Sequence, residues 1–210
     1  MHIADGVLST QVAAVTSGVT AAVLAYSVKG IKEEEIPRTS LLAGFFFAVS
    51  LISIPVGPST IHPLFGGLLG VILGRRAPLA IFVGLLLQAV LFQHGGLTTL
   101  GANTLMLSIP ALLSHSIYHG MAGRQIILRG ALVGGFSVTA TVLILIVLLV
   151  STDPAFTEGT FSVINILVVG HLPLVAIEAL VTGAALKLIA KAKPEILGAQ
   201  EAEASANRAR

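Results

Sequence analysis

Residues 62–94 read HPLFGGLLGVILGRRAPLAIFVGLLLQAVLFQH, two apolar runs parted by Arg75 and Arg76. A helix needs about 20 apolar residues to cross a bilayer. RRAP is a short polar link between two candidate spans, near 63–74 and 78–93. The first is short for a crossing. It is read as a tilted helix packed inside a bundle, with a re-entrant pair as the alternative. Gly66, Gly70 and Gly74 recur every fourth residue and give it one smooth face for close packing.

Working outward, further spans are predicted near 10–28, 40–56, 104–121, 130–151 and 164–190. The fold class is therefore an all-α integral membrane protein of about seven transmembrane helices. Residues 1–193 form the membrane-embedded unit and 194–210 a cytoplasmic tail. Composition agrees, because 55% of the 210 residues are hydrophobic and only 10% are charged, against roughly 25% charged in a soluble domain. The mean hydropathy is +0.95. With no cysteine, disulfides, thiolate metal sites and cysteine nucleophiles are excluded. A net charge of +2, with no basic cluster beside aromatics, argues against a nucleic-acid partner. The partner by default is the lipid bilayer.

Threading seven spans with the N-terminus outside places all 12 Lys and Arg residues in inner loops, at the inner end of the last span, or in the tail, as the positive-inside rule requires. On that map His2, His62, His94 and His171 gather toward the outer face. His171 sits about two turns into the last span, so a direct metal role is open to it, although that depth is wrong for an outer site. His115 and His119 lie toward the cytoplasm.

No basic leader precedes the first apolar run, so no signal peptide is expected. The bulky His2 should also leave Met1 in place. A free Met1 amine, the amide nitrogen of residue 2 and Nδ1 of His2 can close two fused chelate rings in one plane. A fourth nitrogen completes a square-planar site of the kind that suits Ni(II) or Cu(II), with affinity falling in acid. His62, in PSTIHP, is the candidate fourth ligand, with Pro63 expected as the first residue of a helix. His94 is a weaker candidate, a loop imidazole that guides ions or is merely solvated.

MHIADG, IPVGPSTIHPLFGGLLGVILG and QAVLFQHGGLTTLGANTL together resemble the substrate-specificity subunit of cobalt/nickel energy-coupling-factor transporters, the CbiM/NikM type. The resemblance spans roughly residues 1–190. It implies an N-terminal helix added to a six-helix core, and a metal site of Met1, His2 and His62. It also implies that Asn103 supports the site from behind its ligands, with a helix N-cap as the plainer role. No ligand role transfers to His94, which stays a possible supporting residue. Many relatives begin MHIMEG, so Ala4 and Asp5 depart from the pattern.

Other features carry less. Glu178, near the middle of the last span, is read as a protonated packing partner or a hydrogen-bonding group, and an intramembrane carboxylate is usually functional. His115 and His119 are spaced like a zinc-enzyme pair, but no glutamate completes an HExxH motif. Ala14, Gly18 and Ala22 give the first span a small-residue face for a partner or for packing within the subunit.

No nucleotide-binding motif or serine elbow is present, so the chain is expected not to be an enzyme. The resemblance implies a multi-pass subunit of a prokaryotic cytoplasmic (inner) membrane that captures Co2+ or Ni2+ for ATP-driven uptake. No prosthetic group is expected, since the ion is the substrate. The implied partners are a transmembrane coupling subunit, ATP-binding-cassette ATPases and a small accessory membrane subunit. The alternative is a self-contained secondary transporter or channel for a divalent cation.

Overall fold

The structure, a computed structural model, describes residues 3–52, 54–56, 59–159 and 162–198. Met1 and His2 lie outside the described residues, as does the tail beyond Gly198. The body consists of α1 (Thr10–Val28), α2 (Ile36–Ser50), α3 (Gly66–Leu73), α4 (Ala77–Phe92), α5 (Leu100–Gly120), α6 (Ile126–Thr152) and α7 (Val163–Ala192). Among the described residues, five stretches are long and apolar enough to cross a membrane: Thr10–Val28, Gly66–Phe92, Leu100–Gly120, Ile126–Thr152 and Val163–Ala192.

The Gly66–Phe92 stretch meets that length only on paper, because it folds back on itself. Gly74, at φ +51°, opens a single 3-10 turn through Arg76 that separates α3 from α4. A Cβ there would stand 3.1 Å from the His115 ring, and one on Gly70 would stand 2.0 Å from the Ala111 carbonyl oxygen. With Gly66 beside Leu107, α3 runs parallel to α5, and α4 then returns. The imidazoles of His62 and His94, which flank the hairpin, lie 4.7 Å apart. Eight helical residues rise only about 12 Å. The four residues before them, outside any regular element, can add up to roughly 13 Å if extended. Together they match the ~24 Å rise of α4.

The all-α expectation needs one correction. The predicted span 40–56 ends as a helix at Ser50, and a two-stranded antiparallel ribbon follows, β1 (Ile54–Val56) and β2 (Ser59–Ile61), paired Ile54↔Ile61. Pro55 has no N–H to continue the α2 ladder. The ribbon reverses the chain instead and delivers it to His62.

Basic residues gather at the end where α1 stops, and five of the described ones show how. Arg76 binds both oxygens of Glu35 at 2.9 Å and donates to the carbonyls of Ser27, Lys29 and Gly30. Arg75 donates to the Tyr26 and Lys29 carbonyls. Arg38 donates to Ile72 and Ile196. Arg129 donates to Tyr118 O and stacks 3.8 Å from that ring's centroid. Lys29, the fifth, closes α1 through its own backbone N–H. A helix leaves its last carbonyls unpaired, and cations there also complement its dipole.

The Arg76 guanidinium holds the Glu35 carboxyl down to about 2, the Lys32 amide adding to the effect. A depressed carboxyl stabilises the fold above its ordinary value of 4.5, and that contribution disappears as pH falls toward 2. Glu35 is a third exposed, so the expected gain is under about 1 kcal/mol. The thermal midpoint of Glu35→Gln in detergent should lie below wild type at pH 6, and the gap should close between about pH 4.5 and 2.

Thr16, Thr20 and Ser27 are the buried residues of α1, and the Thr20 hydroxyl donates to the Gly101 carbonyl at 2.7 Å. Ala14, Gly18 and Ala22 are exposed, and nothing lies within 4 Å of a Cβ on Gly18. Packing within the subunit does not account for that small-residue face. The chain after α7 turns through Pro194–Leu197, where Leu197 is buried.

Candidate metal centre

The N-terminal strand of chain is tied down immediately after Met1 and His2. Ile3 N–H donates to Asn103 Oδ1 at 2.8 Å, and Asn103 Nδ2 donates to Ile3 O at 3.0 Å. Thr99 Oγ1 donates to the same carbonyl at 2.6 Å. A two-point amide clamp of this kind fixes both the position and the direction of a backbone. Asn103 is 1% exposed, so the clamp works away from competing water. The N-cap reading of Asn103 fails, since α5 begins at Leu100 with Thr99 at its N-cap.

Two residues further on, the Asp5 carboxylate accepts from Thr98 N at 2.8 Å, from Leu97 N at 3.3 Å and from the Thr98 hydroxyl. These donors lower its pKa, the Thr98 hydroxyl most of all. A Cβ on Gly96 would stand 2.2 Å from Asp5 Oδ1, so this approach requires glycine. The sequence reading missed Asp5 and Thr99. The dipeptide Gly95–Gly96 was the available signal, since a backbone this bare invites close approach.

His62 is 2% exposed. Its pKa is held down to about 4, first by burial and further by the imidazoles of His94 and His171. A ring N–H bonds the Ile52 carbonyl. Such a bond fixes the tautomer and orientation of a ligating imidazole, leaving the lone pair on the other nitrogen. His94 stands edge-on to His62. Gln93, in the left-handed conformation at φ +52°, ends α4 and turns His94 inward, and the His94 amide bonds Gln88 O.

Pro63 does not start a helix, because α3 begins three residues later at Gly66. Phe65 adopts a left-handed φ of +48°, and the Glu178 carboxylate accepts the amide protons of Leu64 and Phe65, the latter at 2.8 and 3.0 Å. Buried backbone donors in a membrane must find an internal partner, and here α7 supplies it. Glu178 is fully buried and takes the hydrogen-bonding role allowed for it. His171 is buried in α7. Ile3, Ile61, Leu64 and Leu174 belong to one buried apolar cluster.

Among the described residues no three His, Asp or Glu side chains form a ready metal cage. His115 and His119 pair at 4.5 Å at the opposite end of α5, with no third group among those residues, so the metal-enzyme reading gains nothing.

A family model described as the cobalt uptake substrate-specific transmembrane region, CbiM, matches residues 2–196. The chain belongs to this family. The CbiM protein of Sorangium cellulosum, a cobalt transport protein, is 29% identical over 212 residues, covering 94% of each chain. The fused nickel transport protein NikMN of Rhodobacter capsulatus is 36% identical over 115 residues, covering 52% of this chain and 33% of that longer one. The crystal structure of a truncated transition metal transporter shares the fold, with TM-score 0.76 and 23% identity over 90% of this chain and 98% of that one. The CbiM-family chain is thus a cobalt/nickel transport membrane protein, mostly helical and multi-pass.

Proposed function

We propose that this CbiM-family chain captures Co2+ or Ni2+ at the outer membrane face through the Met1 amine, the amide and imidazole of His2, and His62. The observation that carries the reading is the Asn103 clamp on Ile3. It holds Ile3, the residue next to the chelating pair, against a buried side chain in the first turn of α5. Two residues of chain reach no more than about 7 Å beyond that anchor. A buried imidazole with its tautomer set is the form that binds a borderline cation.

In this reading the seven helices stand with the N-terminus outside and the basic end in the cytoplasm, in keeping with the positive-inside rule. Transport is then driven by partner subunits of the energy-coupling-factor type, with ATP hydrolysed on ABC ATPases and a transmembrane coupling subunit between. The exposed Ala14–Gly18–Ala22 face of α1 suits a close helix contact with such a subunit. Metal uptake in vesicles distinguishes the drivers. Strict dependence on ATP and partners supports this reading, and gradient-driven flux by the chain alone overturns it.

The site itself is tested by His62→Ala. One nitrogen of four is lost, so Co2+ and Ni2+ affinity measured by titration calorimetry should fall at least tenfold, about 1.4 kcal/mol. His94→Ala should cost much less. Equal losses would show that the fourth ligand has been misassigned.

A further inference from the structure

The last two turns of α5 carry His115 and His119, one turn apart on one face of the helix. They lie ~18–24 Å along the helix axis from the Asn103 clamp, at the opposite end of the bundle. Their ring centroids are 4.5 Å apart, with the ring planes inclined at 62°. With metal–nitrogen bonds of about 2.1 Å and a ring radius of about 1.1 Å, two imidazoles at right angles on one ion stand ~4.5 Å apart. The pair therefore already has the spacing of two adjacent ligands.

The surroundings leave room for an ion. The nitrogen-bearing edge of His115 faces Gly74, where a Cβ would stand 3.1 Å from Cε1, 3.3 Å from Nδ1 and 3.5 Å from Nε2. Gly74 carries no side chain, so it leaves that edge uncovered. The chain after α7 passes beside His119 at another glycine, Gly198, whose Cβ would stand 3.7 Å from the ring. Tyr118 packs edge-on to His119 at 5.5 Å. His115 Nδ1 is buried and has no hydrogen-bond partner among the described residues. Natural structures rarely leave such an atom orphaned without a water, an ion or a function to explain it.

We infer that His115 and His119 form a second site, for a divalent transition-metal cation, at the basic end of the bundle. Two imidazoles completed by water suit a borderline ion such as Co2+, Ni2+ or Zn2+. They do not suit Mg2+ or Ca2+, which seek oxygen ligands. The negative end of the α5 dipole favours a cation here, whereas Arg129, stacked on the Tyr118 ring, opposes one. With two nitrogens in place of four, the site binds more weakly than the outer chelate proposed above. In the orientation proposed there it faces the cytoplasm, where weak binding lets an ion leave. The site itself does not depend on that orientation.

The experiment is equilibrium dialysis of the full chain in detergent against Co2+ and Ni2+. A residue inserted between Met1 and His2 removes the outer chelate and leaves the second site to be read alone. One equivalent of weak binding per chain is expected to remain. His115→Gln or His119→Gln should lower it at least tenfold, and His62→Ala should change it less than threefold. No remaining binding, or remaining binding that follows His62 rather than the pair, overturns the inference. Crystals of the unaltered chain grown with excess Co2+ need no variant to fold. An anomalous scattering peak between the two rings supports the site, and a peak at the outer end alone refutes it. Failure of the outer chelate looks different. The inserted chain would then keep its tight binding, and the pair would show as a second, weaker equivalent that His119→Gln removes.

Discussion

A single residue inserted between Met1 and His2 abolishes tight Co2+ and Ni2+ binding while the bundle stays folded. The fused rings require the terminal amine and the His2 imidazole to flank one amide, and the insertion separates them. Loss of at least ~1,000-fold, about 4.1 kcal/mol, is expected, since the ion keeps His62 but loses the three nitrogens of the chelate as one unit. Every described contact of the strap begins at Ile3, so none is broken by a change before His2. Acetylating the amine should act alike. A site made of carboxylates would be indifferent to both changes. The structure already gives those groups other work: Asp5 holds Thr98 and Leu97, and Asp153 caps Ala155 N at 2.9 Å. Unchanged calorimetric affinity in the inserted chain would refute the chelate.

Hydropathy located the helices other than α2 to within about four residues. The run 10–28 coincides with α1, and 164–190 falls inside α7 (Val163–Ala192). Long apolar segments announce themselves because burial in lipid acts on each residue independently. What remained hidden depends on partners distant in sequence. No local rule places Phe65 at positive φ. The Glu178 carboxylate does so from 113 residues away. Likewise the ribbon 54–61 looked like the end of a helix, since short apolar runs fit either state. Arg75 and Arg76 were legible as a polar link, but their grip on the end of α1 was not. At the site, the donor types in MHI and TIHP were plain in the sequence. The clamp made by Asn103, Thr99 and Asp5 was only half legible, because it joins side chains to backbone across nearly 100 residues.

Glu178→Ala should be the most damaging single substitution outside the ligands. It removes the acceptor for two amide protons in a site that water does not reach, as the fully buried side chain shows. Each unpaired buried donor costs about 1–3 kcal/mol, so a loss of ~2–6 kcal/mol is expected, read as a lower thermal midpoint in detergent. The same amides belong to the second and third residues after His62, so freeing them also frees the ligand. Metal affinity should fall at least tenfold even under conditions where the variant remains folded. Glu178→Gln separates charge from geometry. Its amide oxygen can still accept from Leu64 or Phe65, so stability and affinity should both return most of the way toward wild type. If Gln behaves like Ala, the negative charge rather than the hydrogen bonds holds the segment. If Ala lowers stability yet leaves affinity intact once corrected for the folded fraction, Glu178 does not position His62, and the kinked path into α3 serves the bundle alone.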